Sequence, residues 1–123
     1  MIQKAIFFFI LIALVALPGL SLPPENPTGD WDVTCHIEGF TVPGKMSLKV
    51  QGEAVTGTVD TEHTGHGTIA NGSWKDGKLS LTATFEKHES IVFSGTVKDG
   101  KIEGEFQTEG NTGQWTAVPH KAS

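Results

Sequence analysis

Arginine and tyrosine are absent from the 123 residues, and cysteine occurs once. Each absence excludes something. Phosphate backbones are gripped mainly by Lys and Arg, so an acidic chain without arginine is a poor nucleic-acid binder. The lack of a basic patch also leaves nothing to hold the domain on an anionic membrane. Cys35 has no second cysteine to pair with, so no intramolecular disulfide can form. Exported domains of this size often depend on disulfides. This one must rely on its core and on closure of its sheet. Helix signals are also missing: from Trp31 onward no segment repeats its apolar residues with a helical period.

The one long apolar run lies at the start. Lys4 precedes 13 apolar residues, Ala5 to Leu17, and Pro18-Gly19 then breaks the run. Gly19-Leu20-Ser21 places small residues at the two positions a signal peptidase reads. The run is shorter than the ~20 residues a spanning helix needs, which disfavours an uncleaved anchor. Cys35 is too far along to be a lipoprotein cysteine. The expected division is a signal peptide at 1–21, a proline-rich extended tail at 22–29, a β-barrel domain at 30–119 and a C-terminal tail at 120–123. The expected location is secreted or periplasmic. Without Lys4 the exported chain carries 8 Lys against 14 Asp and Glu, a formal charge of −6.

What is abundant is β-sequence. Short runs of Val, Ile, Leu, Phe and Thr recur, separated by Gly, Asp, Asn and Lys. The predicted strands are Trp31–Glu38, Lys45–Gln51, Ala54–Asp60, Gly67–Trp74, Lys78–Glu86, Glu89–Lys98, Lys101–Thr108 and Thr112–Val118. Asp76-Gly77 and Asp99-Gly100 are strong hairpin signals, because a type I′ turn needs two residues at positive φ. They set Trp74 opposite Leu79 and Val97 opposite Ile102. Gly52-Glu53 suits a type II′ turn, which sets Val50 opposite Val55, Leu48 opposite Gly57 and Met46 opposite Val59. In each hairpin the apolar side chains share one face. Ile69 and Trp74 have opposite parity, so a bulge near Asn71-Gly72 is expected. Gly72–Leu79 recurs 23 residues later as Gly95–Ile102. A repeated hairpin implies a meander, and eight strands with one apolar face can remove both edges by closing. The predicted fold is an all-β, eight-stranded antiparallel up-and-down barrel; the alternative is a sandwich.

Gly29-Asp30-Trp31 resembles the G-x-W opening of lipocalins and avidins, the calycin-type barrels, in which the tryptophan plugs one end. Thr56-Gly57-Thr58-Val59 and Gly113-Gln114-Trp115 resemble later avidin strands. The chain is more similar still to a family of small exported bacterial barrels of uncharacterised function, which share these motifs and D-G hairpins. That resemblance implies a fold and no chemistry. The departures are the missing tyrosines, which avidins use in their polar shell, and a chain shorter than lipocalins, which usually add a helix. No ligand residue is carried over.

Several sets of residues invite a functional reading. The inner face would gather Trp31, Trp74, Phe85, Phe93, Phe106 and Trp115 beside Gly57, Gly95 and Gly104. These aromatics are the candidate ligand-binding residues. Large rings beside glycines leave either a cavity walled by indoles or a filled core in which the glycines make room for the rings. His63 and His66 form an H-x-x-H pair in a loop near Asp60 and Glu62. That is a weak metal motif, and a tight site needs more ligands. Cys35-His36 cannot act together, since neighbours on a strand point to opposite faces. Glu103 and Glu105 fall on the outer face. No G-x-S-x-G elbow occurs. Asn71-Gly72-Ser73 fits a glycosylation sequon, meaningful only in a eukaryotic source.

The expected function is a non-enzymatic exported barrel that binds a small apolar or amphipathic ligand at its mouth, with no cofactor. The alternative is a protein-interaction or inhibitor-like module with a filled core, acting through its surface, loops or N-terminal tail. Small periplasmic metalloprotease inhibitors combine a G-x-W barrel with such a tail, though they carry a disulfide that this chain cannot form. A metal-dependent enzyme is the third reading. The expected partner is therefore a small apolar ligand or a protein, with no nucleic acid and no stable membrane association after signal cleavage.

Overall fold

The computed structural model describes residues 26–121. The expected signal peptide and the first half of the proline-rich segment, residues 22–25, lie outside the described residues. Eight strands follow one another in chain order: β1 Gly29–Ile37, β2 Phe40–Gln51, β3 Ala54–Thr61, β4 Gly65–Lys75, β5 Lys78–Phe85, β6 Ile91–Lys98, β7 Lys101–Gln107 and β8 Thr112–Pro119. Each pairs antiparallel with its neighbour, and β8 returns to β1, giving a closed up-and-down barrel. The predicted fold is correct, and no sandwich forms. Closure gives every strand two neighbours, so no strand is an edge along its whole length.

The turn chemistry sets the register as expected. Asp76, Gly77, Asp99 and Gly100 all have positive φ, and Trp74 faces Leu79 while Val97 faces Ile102. Gly52 alone has positive φ in its turn, as a type II′ turn requires. It places Val50, Leu48 and Met46 opposite Val55, Gly57 and Val59. The β4 bulge is present: Asn71 sits at φ 54° and the register with β5 shifts between Ala70 and Ser73. Ile69 and Trp74 consequently both pack against the core. The repeated hairpins are laced in the same way. The Trp74 N–H donates to Glu53 O (2.8 Å), and the N–H of Val97, its counterpart in the repeat, donates to Gly77 O (2.9 Å).

One hairpin departs from expectation. β2 begins at Phe40, not Lys45, and Glu38-Gly39 forms its turn with β1 at φ 43° and 87°. Pro43 lies inside the strand, opposite Thr34. Pairing between β2 and β3 starts only at Gly44–Thr61, so Phe40–Pro43 has a partner on one side alone. A proline is tolerated where one side of a strand is unpaired.

The barrel has two unlike ends. Trp31 is buried near the start of β1, and its indole N–H donates to Pro27 O (2.9 Å). Pro27 is itself fully buried. Thr28 fastens this segment, since its Oγ1 accepts the Val50 N–H (3.0 Å) and donates to Asn26 Oδ1 (2.6 Å). Trp31 and Pro27 thus stopper the end that carries the β2–β3, β4–β5 and β6–β7 turns. The middle is filled by Trp115 and Phe93 at 0% and 1% exposure, with Met46, Leu81 and Ile102. The other end is formed by the β1–β2, β3–β4, β5–β6 and β7–β8 connections. It is not stoppered.

Candidate functional site

Inward alternation in six strands meets three of the four connections at the unstoppered end and leaves a cavity of about 140 Å³. Cys35, Val59, Phe93 and Phe106 supply its buried lining. Ile37, Val42, Phe85 and Ile91 surround it closer to the connections. The rim is polar: Thr61, His63, Thr64, His88, Glu89 and Asn111 are drawn from three of the connections and the end of β3. The cavity is therefore apolar inside and polar at its opening, the pattern of a site for an amphipathic small molecule. A dry apolar cavity of about 150 Å³ holds one benzene ring, whereas drug-sized pockets run to roughly 300–1,000 Å³. The space suits one ring or a short chain.

The six aromatic candidates divide. Phe85, Phe93 and Phe106 line the cavity, and Phe93 meets Phe106 with ring centroids 6.2 Å apart. The tryptophans do not. Trp31 stoppers the far end, and Trp74 packs half-buried on the core beside the β4–β5 turn. Trp115 fills the middle, where its N–H is shared between Ser94 O (3.0 Å) and Glu105 O (3.1 Å). Gly104 lies opposite Trp115, and a Cβ on Gly95 would stand 3.0 Å from its ring. Gly95 thus makes room for the ring, whereas a Cβ on Gly104 would strike the β6 backbone at Ser94 and Gly95. The cavity is walled by phenylalanine instead of indole.

The histidine pair is split. His66 Nδ1 lies 2.6 Å from Asp60 Oδ1 on the exposed outer wall. His63 instead lines the rim and meets His88 edge-on at 5.0 Å between ring centroids. His88 packs edge-on against Phe85 at 5.8 Å and carries its Nδ1 2.8 Å from Glu89 O. A backbone carbonyl only accepts, so Nδ1 bears the hydrogen. The sequence reading did not single out His88 and took Glu89 as the start of a strand; both sit in the irregular connection before β6, which begins only at Ile91. Among the described residues no group of three or more His, Cys, Asp or Glu side chains is gathered as metal ligands would be.

Cys35 is buried in the cavity lining, and burial pushes its thiol up from 9.0 to about 11. His36 is exposed on the opposite face, so the two do not meet. Among the described residues Thr64 is the one buried polar side chain. Its N–H donates to Thr61 Oγ1 (2.9 Å) and its hydroxyl to Gly65 O (3.0 Å), which closes the β3–β4 connection beside the rim. Glu103, Glu105 and Asn71 are exposed on the outer wall. No helix among the described residues is long and apolar enough to cross a membrane.

No protein-family model matches the chain, and no curated protein matches it. Among solved structures, apo lipid binding protein 8 of Caenorhabditis elegans aligns with a TM-score of 0.49 at 14% identity. The alignment covers 76% of this chain and 94% of that one.

Proposed function

We propose that this is an exported, non-enzymatic barrel that takes up a small apolar or amphipathic ligand through its unstoppered end. One observation carries the reading: the two ends are built differently. Trp31 and Pro27 fill one, while the other opens through a polar rim onto about 140 Å³ lined by Phe85, Phe93 and Phe106. A barrel serving only as a rigid surface has no use for this asymmetry. The signal-like segment before residue 22 supports export. A catalytic role finds little support, because the one thiol in the cavity lining, Cys35, is pushed up to about 11, and the Thr61, Thr64 and Thr108 hydroxyls each donate within the rim.

The test uses benzene and a cavity-filling variant. Benzene should raise the melting temperature in a dose-dependent way, because a ligand that binds only the folded state stabilises it by mass action. It should shift the amide signals of Phe85, Ile91 and Phe106. Ile37→Trp, which places an indole in the cavity from a half-buried position, should abolish both effects while the barrel still melts cooperatively. Amide signals of the folded protein that do not respond to benzene would remove the ligand-binding reading.

A further inference from the structure

The rim decides what kind of head group a ligand can carry, provided that the cavity binds ligands at all. Every side-chain hydroxyl hydrogen on the rim is already committed. Thr64 Oγ1 donates to Gly65 O (3.0 Å), which obliges Thr61 Oγ1 to donate to Thr64 Oγ1 (2.8 Å). Thr108 Oγ1 donates to Asn111 O (3.3 Å). His88 Nδ1–H is spent on Glu89 O. Beside His88 what remains accepts: the carboxylate of Glu89, and Nε2 in the tautomer that donates through Nδ1; elsewhere on the rim the side-chain amide of Asn111 and the ring of His63 still offer donors. That carboxylate is half-buried and has no ion pair or hydrogen bond among the described residues. A charge taken partly out of water without a partner is unfavourable, and a donor arriving with a ligand would relieve it.

Charge at larger scale points the same way. The four connections at the open end carry Glu38, Glu62, Glu86, Glu89 and Glu109 against Lys87 alone. The three turns at the stoppered end, with the residues flanking them, carry Lys75, Lys78, Lys98 and Lys101 against Glu53, Asp76 and Asp99. The barrel is polarised along its axis, negative at the mouth. Such a field concentrates cations at a low-dielectric opening and repels carboxylates.

We propose that the ligand of this mouth is a small organic cation. Its ring or short chain enters the cavity, and its ammonium group sits at the rim against Glu89 and Nε2 of His88. The inference rests on the ligand-binding reading above and adds the sign of the head group. An anionic amphiphile of the same size is disfavoured, because it meets the Glu89 carboxylate and negative potential.

Three probes with one ring and three heads test this: benzylammonium, benzyl alcohol and benzoate. Each is titrated into the full-length protein while the amide signals of the cavity residues are followed. Benzylammonium should bind about tenfold more tightly than benzoate at low ionic strength, and the gap should narrow at about 0.5 M salt, where surface charges are screened. Glu89→Gln should weaken benzylammonium about fivefold and leave benzyl alcohol unchanged. Benzyl alcohol binding in the cavity with no preference for ammonium over carboxylate would overturn the head-group inference alone. A preference that survives Glu89→Gln intact would overturn the assignment to Glu89. If none of the three probes moves the cavity signals, the ligand-binding reading falls as well.

Discussion

Trp115 offers the sharpest test of how the barrel is filled. It is fully buried, its N–H is shared between two carbonyls on β6 and β7, and Gly95 makes room for its ring. Trp115→Ala should cost about 3–5 kcal/mol for the lost packing and the cavity left behind. The carbonyls of Ser94 and Glu105 also lose their shared donor, adding about 1–3 kcal/mol. The 96 described residues would carry a total stability of about 5–14 kcal/mol at the usual value per residue. The variant should therefore be barely folded, with its melting temperature lowered by about 20–40 °C. Trp115→Phe separates the two terms, because it keeps most of the packing and loses the donor. Gly95→Ala completes the test. In the native background its methyl group would stand 3.0 Å from the indole, and such overpacking costs about 1–3 kcal/mol. In the Trp115→Ala background the contact with the ring is gone while those with Ile102 Cγ2 and Glu103 O remain, so the cost should fall by about 1 kcal/mol, a coupling that a double-mutant cycle resolves. Urea unfolding followed by far-ultraviolet circular dichroism measures all four proteins. An identical cost of Gly95→Ala in both backgrounds would refute the claim that this glycine exists to accommodate the ring.

Four further outcomes are expected. Trp31→Ala should also cost about 3–5 kcal/mol, since it unstoppers the barrel and frees Pro27 O; a near-native midpoint in urea would show that the end is not sealed by this ring. Cys35 should label slowly with iodoacetamide in the folded protein and fully in denaturant, because its thiol lies near 11; rapid native labelling would revive a redox role. The same shift has a pH consequence: the unfolded chain releases the thiol proton first, so stability should be intact below about pH 9 and fall between about 9 and 11, by at most about 2–3 kcal/mol. Cys35→Ala should flatten that part of the stability profile, and an unaltered slope would deny the thiol's contribution. Zinc should bind only weakly, since His66 is held by Asp60 while His63 faces His88; calorimetry showing stoichiometric sub-micromolar binding, lost in His63→Ala/His66→Ala, would reverse this.

Much of the fold is legible in the sequence because its determinants are local. Asp76-Gly77 and Asp99-Gly100 specify a turn type, the turn type specifies a register, and the register decides which side chains face inward. The bulge at Asn71 follows from the parity clash between Ile69 and Trp74. The first hairpin is hidden for the opposite reason. Glu38 at positive φ is uncommon for that residue type, and Pro43 reads as a strand breaker until its unpaired side is known. The site is less legible than the fold, and the reason is geometric. Alternation shows that Phe85, Phe93, Phe106 and the three tryptophans point inward. It does not tell at what height each ring sits along the barrel axis. That height depends on strand stagger and on the segment before β1, which brings Pro27 beneath Trp31. A cavity is the small remainder between the volume a barrel encloses and the volume its side chains fill, so one ring placed a turn higher or lower creates or abolishes it. The rim is harder still. His88 and Glu89 lie in a connection with no period, and their contribution is a property of unspent lone pairs, visible only once every neighbouring donor has been assigned. The charge polarity, by contrast, needs only the chain order of the connections. Every second connection of a meander shares an end, so five glutamates that are scattered in sequence converge on one mouth.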